Sequence, residues 1–267
     1  MYLELRGSGP AVLLLHGQPG FGFNFEKLVS KLVGDHLIIL PDRPGYARSF
    51  GDPLNFKDSA VELIGRIKSL GIEKIVVLGY SFGAGSAIYF AVLAPELTKA
   101  LVLVSPIGTK KCLNPLDYLL TKPIVGPVVT FDGMISLDFI MPKLKLLLKE
   151  SKSKTANNIL KRFKLDSIPD IMVTPRPLLK SVGTFVKEQR MLVERIEELE
   201  NILPQITVPV HIVGGQKDDI ITPDSILDLQ AKLYDSALTW VKRGTHLLIY
   251  EQPKLLSEIV ARYSIDP

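Results

Sequence analysis

Short apolar runs punctuate the first hundred residues of this chain, at 2–6, 11–15, 37–40, 74–78 and 100–104. Most are unbroken stretches of Val, Ile, Leu and Ala too short for a helix, which is the signature of strands buried on both faces. Between them the apolar positions change period. Phe25, Leu28, Val29, Leu32 and Val33 fall at helical spacing, as do Val61, Leu63, Ile64, Ile67 and Leu70. Alternation of this kind predicts a mostly parallel sheet with helices on both faces. Two later runs, 208–213 and 237–241, bring the expected sheet to about seven strands.

From about 109 to 204 the rhythm stops. Prolines stand at 115, 123, 127, 142, 169, 175, 177 and 204, and the apolar residues take helical spacing, as in Leu178, Leu179, Val182, Phe185, Val186, Leu192, Val193 and Ile196. The segment therefore reads as a helical insertion between two parts of a sheet domain. It also carries the charge asymmetry. It holds sixteen Lys and Arg against eleven Asp and Glu, while the whole chain is only +4. The densest stretch runs Lys143, Lys145, Lys149, Lys152 and Lys154, interleaved with Leu144, Leu146, Leu147 and Leu148. A solvated helix face is the first reading of such a run. Attraction of an anionic substrate is the second, and a peripheral membrane or lipid contact the third.

One pentapeptide carries most of the chemistry. Gly79-Tyr80-Ser81-Phe82-Gly83 follows the strand-like run at 74–78 and precedes the small-residue stretch Ala84-Gly85-Ser86-Ala87, which reads as a helix start. Strand, G-x-S-x-G, helix is the context of a nucleophile elbow, a turn so tight that the serine hydroxyl stands clear of the backbone. The same turn aims the N–H of Phe82 at the place where an oxyanion would form. A serine hydroxyl is a poor nucleophile without a base, and the base needs an orienting acid. The chain has four histidines. His36 reads as a loop residue and His211 as a packed strand residue. His16 ends the run at 11–15. His246 lies in a Gly-containing loop after the run at 237–241, where a mobile imidazole can reach the serine. The acid is sought in the loop after the strand at 208–213. Asp218 is the better candidate and Asp219 its rival, on position alone.

Together these segments resemble the α/β-hydrolase superfamily, specifically its lid-bearing members with a serine nucleophile. His16-Gly17-Gln18-Pro19-Gly20 resembles the family's oxyanion loop. Pro41 to Ser49 resembles its D-x-x-G-x-G-x-S loop, with Ala47 where glycine is usual. Gly215-Gln216-Lys217-Asp218 resembles its acid turn. Thr245 to Pro253 resembles its G-H-x-x-x-x-E-x-P segment, with Thr245 in place of glycine. The likeness covers about residues 1–108 and 205–267, and the helical stretch at 109–204 is similar to the cap the family inserts. It implies an α/β-hydrolase fold, a doubly wound sheet of seven to eight strands. It implies catalytic Ser81, Asp218 and His246 in the family's chain order, with oxyanion donors at the backbone N–H groups of Gln18 and Phe82. Asp42 and Arg43 read as charges that brace their loop by an ion pair.

Bulk properties narrow the class further. At 267 residues, 46% hydrophobic and 22% charged, the composition is that of an ordinary globular enzyme. No apolar run is long enough to span a bilayer. The N-terminus lacks the pattern of a signal peptide, and the single cysteine, Cys112, rules out an intramolecular disulfide, so a cytoplasmic protein is expected. There is no metal-binding H-E-x-x-H or C-x-x-C and no phosphate-cradling glycine loop, so no metal and no cofactor are expected. Nucleic-acid binding has no recognisable module. The expected activity is hydrolysis of a small-molecule carboxylic ester through an acyl-enzyme. Cleavage of a C–C bond, lactone, thioester or N-terminal prolyl peptide, or perhydrolysis, would use the same residues. A ligand receptor on the same scaffold is the expectation outside enzymes.

Overall fold

A computed structural model describes residues 1–135, 141–151, 153, 155, 158 and 178–264. Seven strands form one sheet: β1 (Tyr2–Arg6), β2 (Ala11–Leu15), β3 (Leu37–Asp42), β4 (Ile75–Tyr80), β5 (Thr98–Val104), β6 (Val210–Gly215) and β7 (Ser236–Val241). The order is β1-β3-β2-β4-β5-β6-β7. Only β1 runs antiparallel to its neighbour, and every other pairing is parallel. β1 and β2 coincide with their apolar runs, β3, β5 and β7 extend theirs by one or two residues at one end, and β4 and β6 start one or two residues later than theirs and end two residues later.

Alternate residues of the central strands feed two cores. Leu13, Leu15, Val77, Leu101, Leu103 and Ile212 pack on one face against α2 (Phe56–Ser69) and α3 (Gly83–Leu93). Val12, Leu14, Val76, Leu78, Val102 and Val213 pack on the other against α1 (Glu26–Leu32) and the C-terminal helix. Burial on both sides is why these strands read as continuous apolar runs. Helix α2 starts earlier than its apolar spacing predicts, at an Asn55 cap whose side chain accepts from the Asp58 N–H at 2.9 Å. Its buried stripe is therefore Phe56, Ala60, Leu63 and Ile67, and Val61 is left exposed.

A helical insertion separates β5 from β6. Its described helices are α4 (Pro115–Leu120), α5 (Val125–Ile135), α6 (Met141–Glu150) and α7 (Leu178–Ile202). Lys152 and Lys154 of the lysine run, and Pro169, Pro175 and Pro177, lie outside the described residues. In α6, Leu144, Leu146 and Leu147 are exposed beside Lys143 and Lys149. Helix α7 bridges two environments. Leu192, Ile196 and Leu199 in its C-terminal half belong to the α3-side core, whereas Val182 and Phe185 pack with Met134 of α5. The chain continues into α8 (Pro223–Ala231), α9 (Leu248–Glu251) and α10 (Pro253–Ser264). Among the described residues, no helix is long and apolar enough to cross a membrane.

Candidate active site

Ser81 sits in the turn from β4 into α3 with φ at 51°, a left-handed conformation that is costly for any residue but glycine. Surrounding bonds hold it there. Its N–H donates to Val104 O at 3.0 Å, and its carbonyl accepts from Ala84 N–H at 3.0 Å. The flanking glycines are a packing requirement. A Cβ at Gly79 would lie 2.7 Å from both Ala84 Cα and Ala87 Cβ, and one at Gly83 would lie 2.6 Å from His16 O.

His246, from the loop after β7, reaches this turn. Its Nε2 lies 3.0 Å from Ser81 Oγ and its Nδ1 lies 3.0 Å from Asp218 Oδ2. A carboxylate can only accept, so Nδ1 carries the proton and the Nε2 lone pair faces the hydroxyl. The Asp218 side chain is fully buried, and its Oδ1 accepts from the N–H groups of Ile220 at 3.0 Å and Ile221 at 2.9 Å. Asp219, its neighbour in sequence, is exposed. Two contacts fix the histidine loop. Tyr80 Oη donates to the His246 carbonyl at 3.0 Å, and Glu251 accepts from Thr245 N–H at 3.1 Å and Thr245 Oγ1 at 3.0 Å. Burial, with the charges of Tyr250 and Asp218 adding, drives the Tyr80 phenol well above its ordinary range, so Tyr80 remains a donor.

Gln18 and Phe82 both border the serine. Phe82 stands at the head of α3, where a helix leaves its first N–H groups without an intrahelical acceptor. The Gln18 side chain turns to the insertion, its Nε2 donating to Phe185 O of α7 at 3.0 Å. His16 is completely buried and serves the loop. Its Nδ1 lies 2.9 Å from Gly17 O, a pure acceptor, so Nδ1 donates and Nε2 accepts the Arg43 N–H at 3.1 Å. Burial, reinforced by the Arg43 charge, pushes its pKa well below the histidine range and keeps the ring neutral.

The charges at 42 and 43 do enter ion pairs, though not with each other. Asp42 takes Arg48 Nε at 2.8 Å within its own loop. Arg43 is bound in bidentate fashion by Glu188 of α7, at 2.9 and 3.1 Å, and the Tyr46 hydroxyl donates to the same carboxylate at 2.8 Å. The guanidinium also donates to the carbonyls of His16 and Gly17 and lies 4.8 Å from the Phe82 ring centroid. Burial pushes the Glu188 carboxyl up, against the pull of Arg43 and Tyr46. The sequence reading missed Glu188, because 145 residues separate it from Arg43. The only trace in the sequence is an acid among the apolar positions of α7.

Two cavities meet at Ser81 and His246. One, of about 520 Å³, runs under the insertion between Tyr80, Leu120, Val129, Met134 and Phe185; no Asp, Glu, Lys or Arg lines it among the described residues. The other, of about 380 Å³, is bordered by Asn114, Asp117, Gln189 and Asp219. Cys112 also borders the second cavity, and burial raises its thiol to about 12, far from a nucleophilic thiolate.

The sequence profile of the Alpha/beta hydrolase family matches residues 12–259. The chain belongs to that family. Among curated relatives, it is 27% identical over 267 residues to a 2-hydroxy-6-oxononadienedioate/2-hydroxy-6-oxononatrienedioate hydrolase of Cupriavidus pinatubonensis, covering 97% of this chain and 84% of that protein. It is also 27% identical over 233 residues to Lipase 1 of Psychrobacter immobilis, covering 82% of this chain and 65% of the lipase. Among solved structures, a thermophilic esterase from Thermogutta terrifontis aligns with a TM-score of 0.72 at 20% identity, over 98% of this chain and 92% of the esterase. The alpha/beta hydrolase fold and hydrolase class are thus common to relatives of differing chemistry.

Proposed function

We propose that this alpha/beta hydrolase is a serine hydrolase that cleaves a neutral carboxylic ester through an acyl-enzyme. The observation that carries the reading is the relay Asp218–His246–Ser81, with 3.0 Å at each link, at the meeting point of two cavities. Ser81 attacks the ester carbonyl while His246 Nε2 takes its proton. The tetrahedral oxyanion is held by the Phe82 and Gln18 N–H groups, each worth on the order of 3 kcal/mol by comparison with measured donors. His246 then protonates the departing alcohol oxygen, and water attacks the acyl-enzyme with His246 as base. Asp218 keeps the proton on Nδ1 and stabilises the imidazolium. Residues 109–204 act as a cap that excludes water. The apolar cavity takes the acyl group and the second cavity the alcohol. A second reading, hydrolysis of a C–C bond on the same residues, is favoured by the likeness to the Cupriavidus hydrolase.

Stopped-flow hydrolysis of p-nitrophenyl acetate, butyrate and octanoate by wild type and Ser81→Ala tests the proposal. A nitrophenolate burst followed by steady turnover, present only in wild type, is the expected outcome. Equal and negligible rates in both proteins would overturn the ester reading and leave the C–C substrates.

A further inference from the structure

One peptide unit beside the serine is held from behind. Gly17 borders Ser81, since a Cβ on it would lie 3.2 Å from Ser81 Cβ. Its carbonyl accepts twice, from His16 Nδ1 at 2.9 Å and from Arg43 Nη2 at 3.1 Å. That carbonyl and the Gln18 N–H belong to one trans peptide, whose plane is rigid and whose C=O and N–H point in opposite directions. Fixing the Gly17 oxygen therefore fixes the direction of the Gln18 N–H, the proposed oxyanion donor. The Arg43 guanidinium also donates to the His16 carbonyl and lies 4.8 Å from the ring centroid of Phe82, the residue of the second donor. Arg43 is buried and itself held. Glu188 of α7 takes its Nε at 2.9 Å and its Nη2 at 3.1 Å, and the Tyr46 hydroxyl donates to the same carboxylate at 2.8 Å.

Stability alone does not account for this pair, because a buried ion pair is seldom better than well-packed apolar side chains of similar volume. What a guanidinium adds is a rigid fork, which can hold two carbonyls and a carboxylate at once. We propose that Arg43, clamped by Glu188, is a positioning residue that aims the Gln18 N–H at the developing oxyanion, so that helix α7 of the insertion helps to build the oxyanion hole. The inference rests on the serine-hydrolase reading and adds to it the origin of one donor's direction. Neither side chain borders either cavity, so both act through the Gly17–Gln18 peptide. A misaimed donor costs turnover more than binding, because the charge it serves exists only in the transition state.

The test compares wild type with Arg43→Met/Glu188→Leu, which leaves no buried charge and is expected to fold. The kcat and KM are measured with p-nitrophenyl butyrate, and inhibition with trifluoromethyl butyl ketone and methyl butyl ketone. Ser81 Oγ adds to the fluorinated ketone, its proton passes to His246 Nε2, and the former carbonyl oxygen becomes an oxyanion. The methyl ketone binds as the unreacted carbonyl. The double variant should lose about tenfold or more in kcat, short of the 10²–10³ of a deleted donor, with KM changed less than about threefold. Its Ki for the fluorinated ketone should rise by a similar factor to the loss in kcat/KM, while that for the methyl ketone stays the same. Arg43→Lys keeps a charge opposite Glu188 without the fork, and should move the same readouts in the same direction. It decides the matter if the double variant does not fold. Unchanged kcat and unchanged inhibition by the fluorinated ketone would overturn the proposal and leave the pair purely structural. Equal losses of affinity for both ketones would also overturn it, by pointing to a general loosening of the site. Turnover in wild type that does not depend on Ser81 would instead remove the serine-hydrolase reading, and this inference with it.

Discussion

Ser81 holds a positive φ because its neighbours leave no alternative, and the two glycines beside it exist to let α3 and the His16 carbonyl come close. That local logic was legible in five residues, since a strained turn imposes its residue types within the turn itself. The choice between Asp218 and Asp219 was not legible. Both stand in one loop after β6, and only the fold turns the first inward, where it takes two backbone N–H groups and faces His246, while the second stays exposed. The consequence can be measured. Asp218→Asn is expected to lower kcat on the order of 10⁴-fold, because an amide in that place favours the wrong histidine tautomer. Asp219→Asn should cost less than about tenfold, since no tautomer depends on it. Comparable losses in the two variants, with both folded by circular dichroism, would reverse the assignment.

At the scale of elements, α7 joins the insertion to the core. Its C-terminal half is packed among core side chains, and near its middle Glu188 grips Arg43, whose guanidinium also holds the carbonyls of His16 and Gly17. Gln18, next in that loop, adds its own bond to Phe185 of the same helix. The loop at 16–20 is thereby tied to the helix whose Phe185 lines both cavities. Removing one partner of a buried ion pair strands the other charge, at a cost of about 3–5 kcal/mol, so Glu188→Ala should be that much less stable in urea unfolding. Arg43→Met combined with Glu188→Leu should recover most of this loss, because no buried charge then remains. If the double variant is no more stable than Glu188→Ala, the stabilising element is the packing of α7 and not the pair. Helical periodicity announced α7 itself. It could not announce the pair, since periodicity records which face is apolar and says nothing of which distant charge meets an exception on that face.

Over the whole molecule, two buried histidines, His16 and His211, contribute to how stability responds to pH. His16 has its folded pKa depressed by burial and by Arg43, and His211 is depressed by burial and by Arg262. An unfolded histidine titrates near 6.5, so below that value the unfolded chain binds more protons and stability falls as pH falls. For His16 the slope reaches about 1.4 kcal/mol per pH unit between roughly 6.5 and its folded value. Glu188, raised by burial, works in the opposite direction, because the folded state binds its proton first. The contribution of His16 is therefore isolated by comparison with His16→Gln, whose unfolding free energy should fall less steeply between pH 7 and 5. Identical slopes in the two proteins would mean that His16 is protonated in the folded state.

The sequence by itself determined the sheet, its mostly parallel direction, the elbow and the order of the candidate residues. These are set by contacts within a few residues or by a period that repeats along the chain: a strand buried on both faces must be apolar throughout, and a tight turn must be lined with glycine. Only the tertiary structure decided which acid meets His246 and that Glu188 rather than Asp42 holds Arg43. Each of those joins groups far apart in sequence, where the partner is chosen by how the layers close and no local pattern records it.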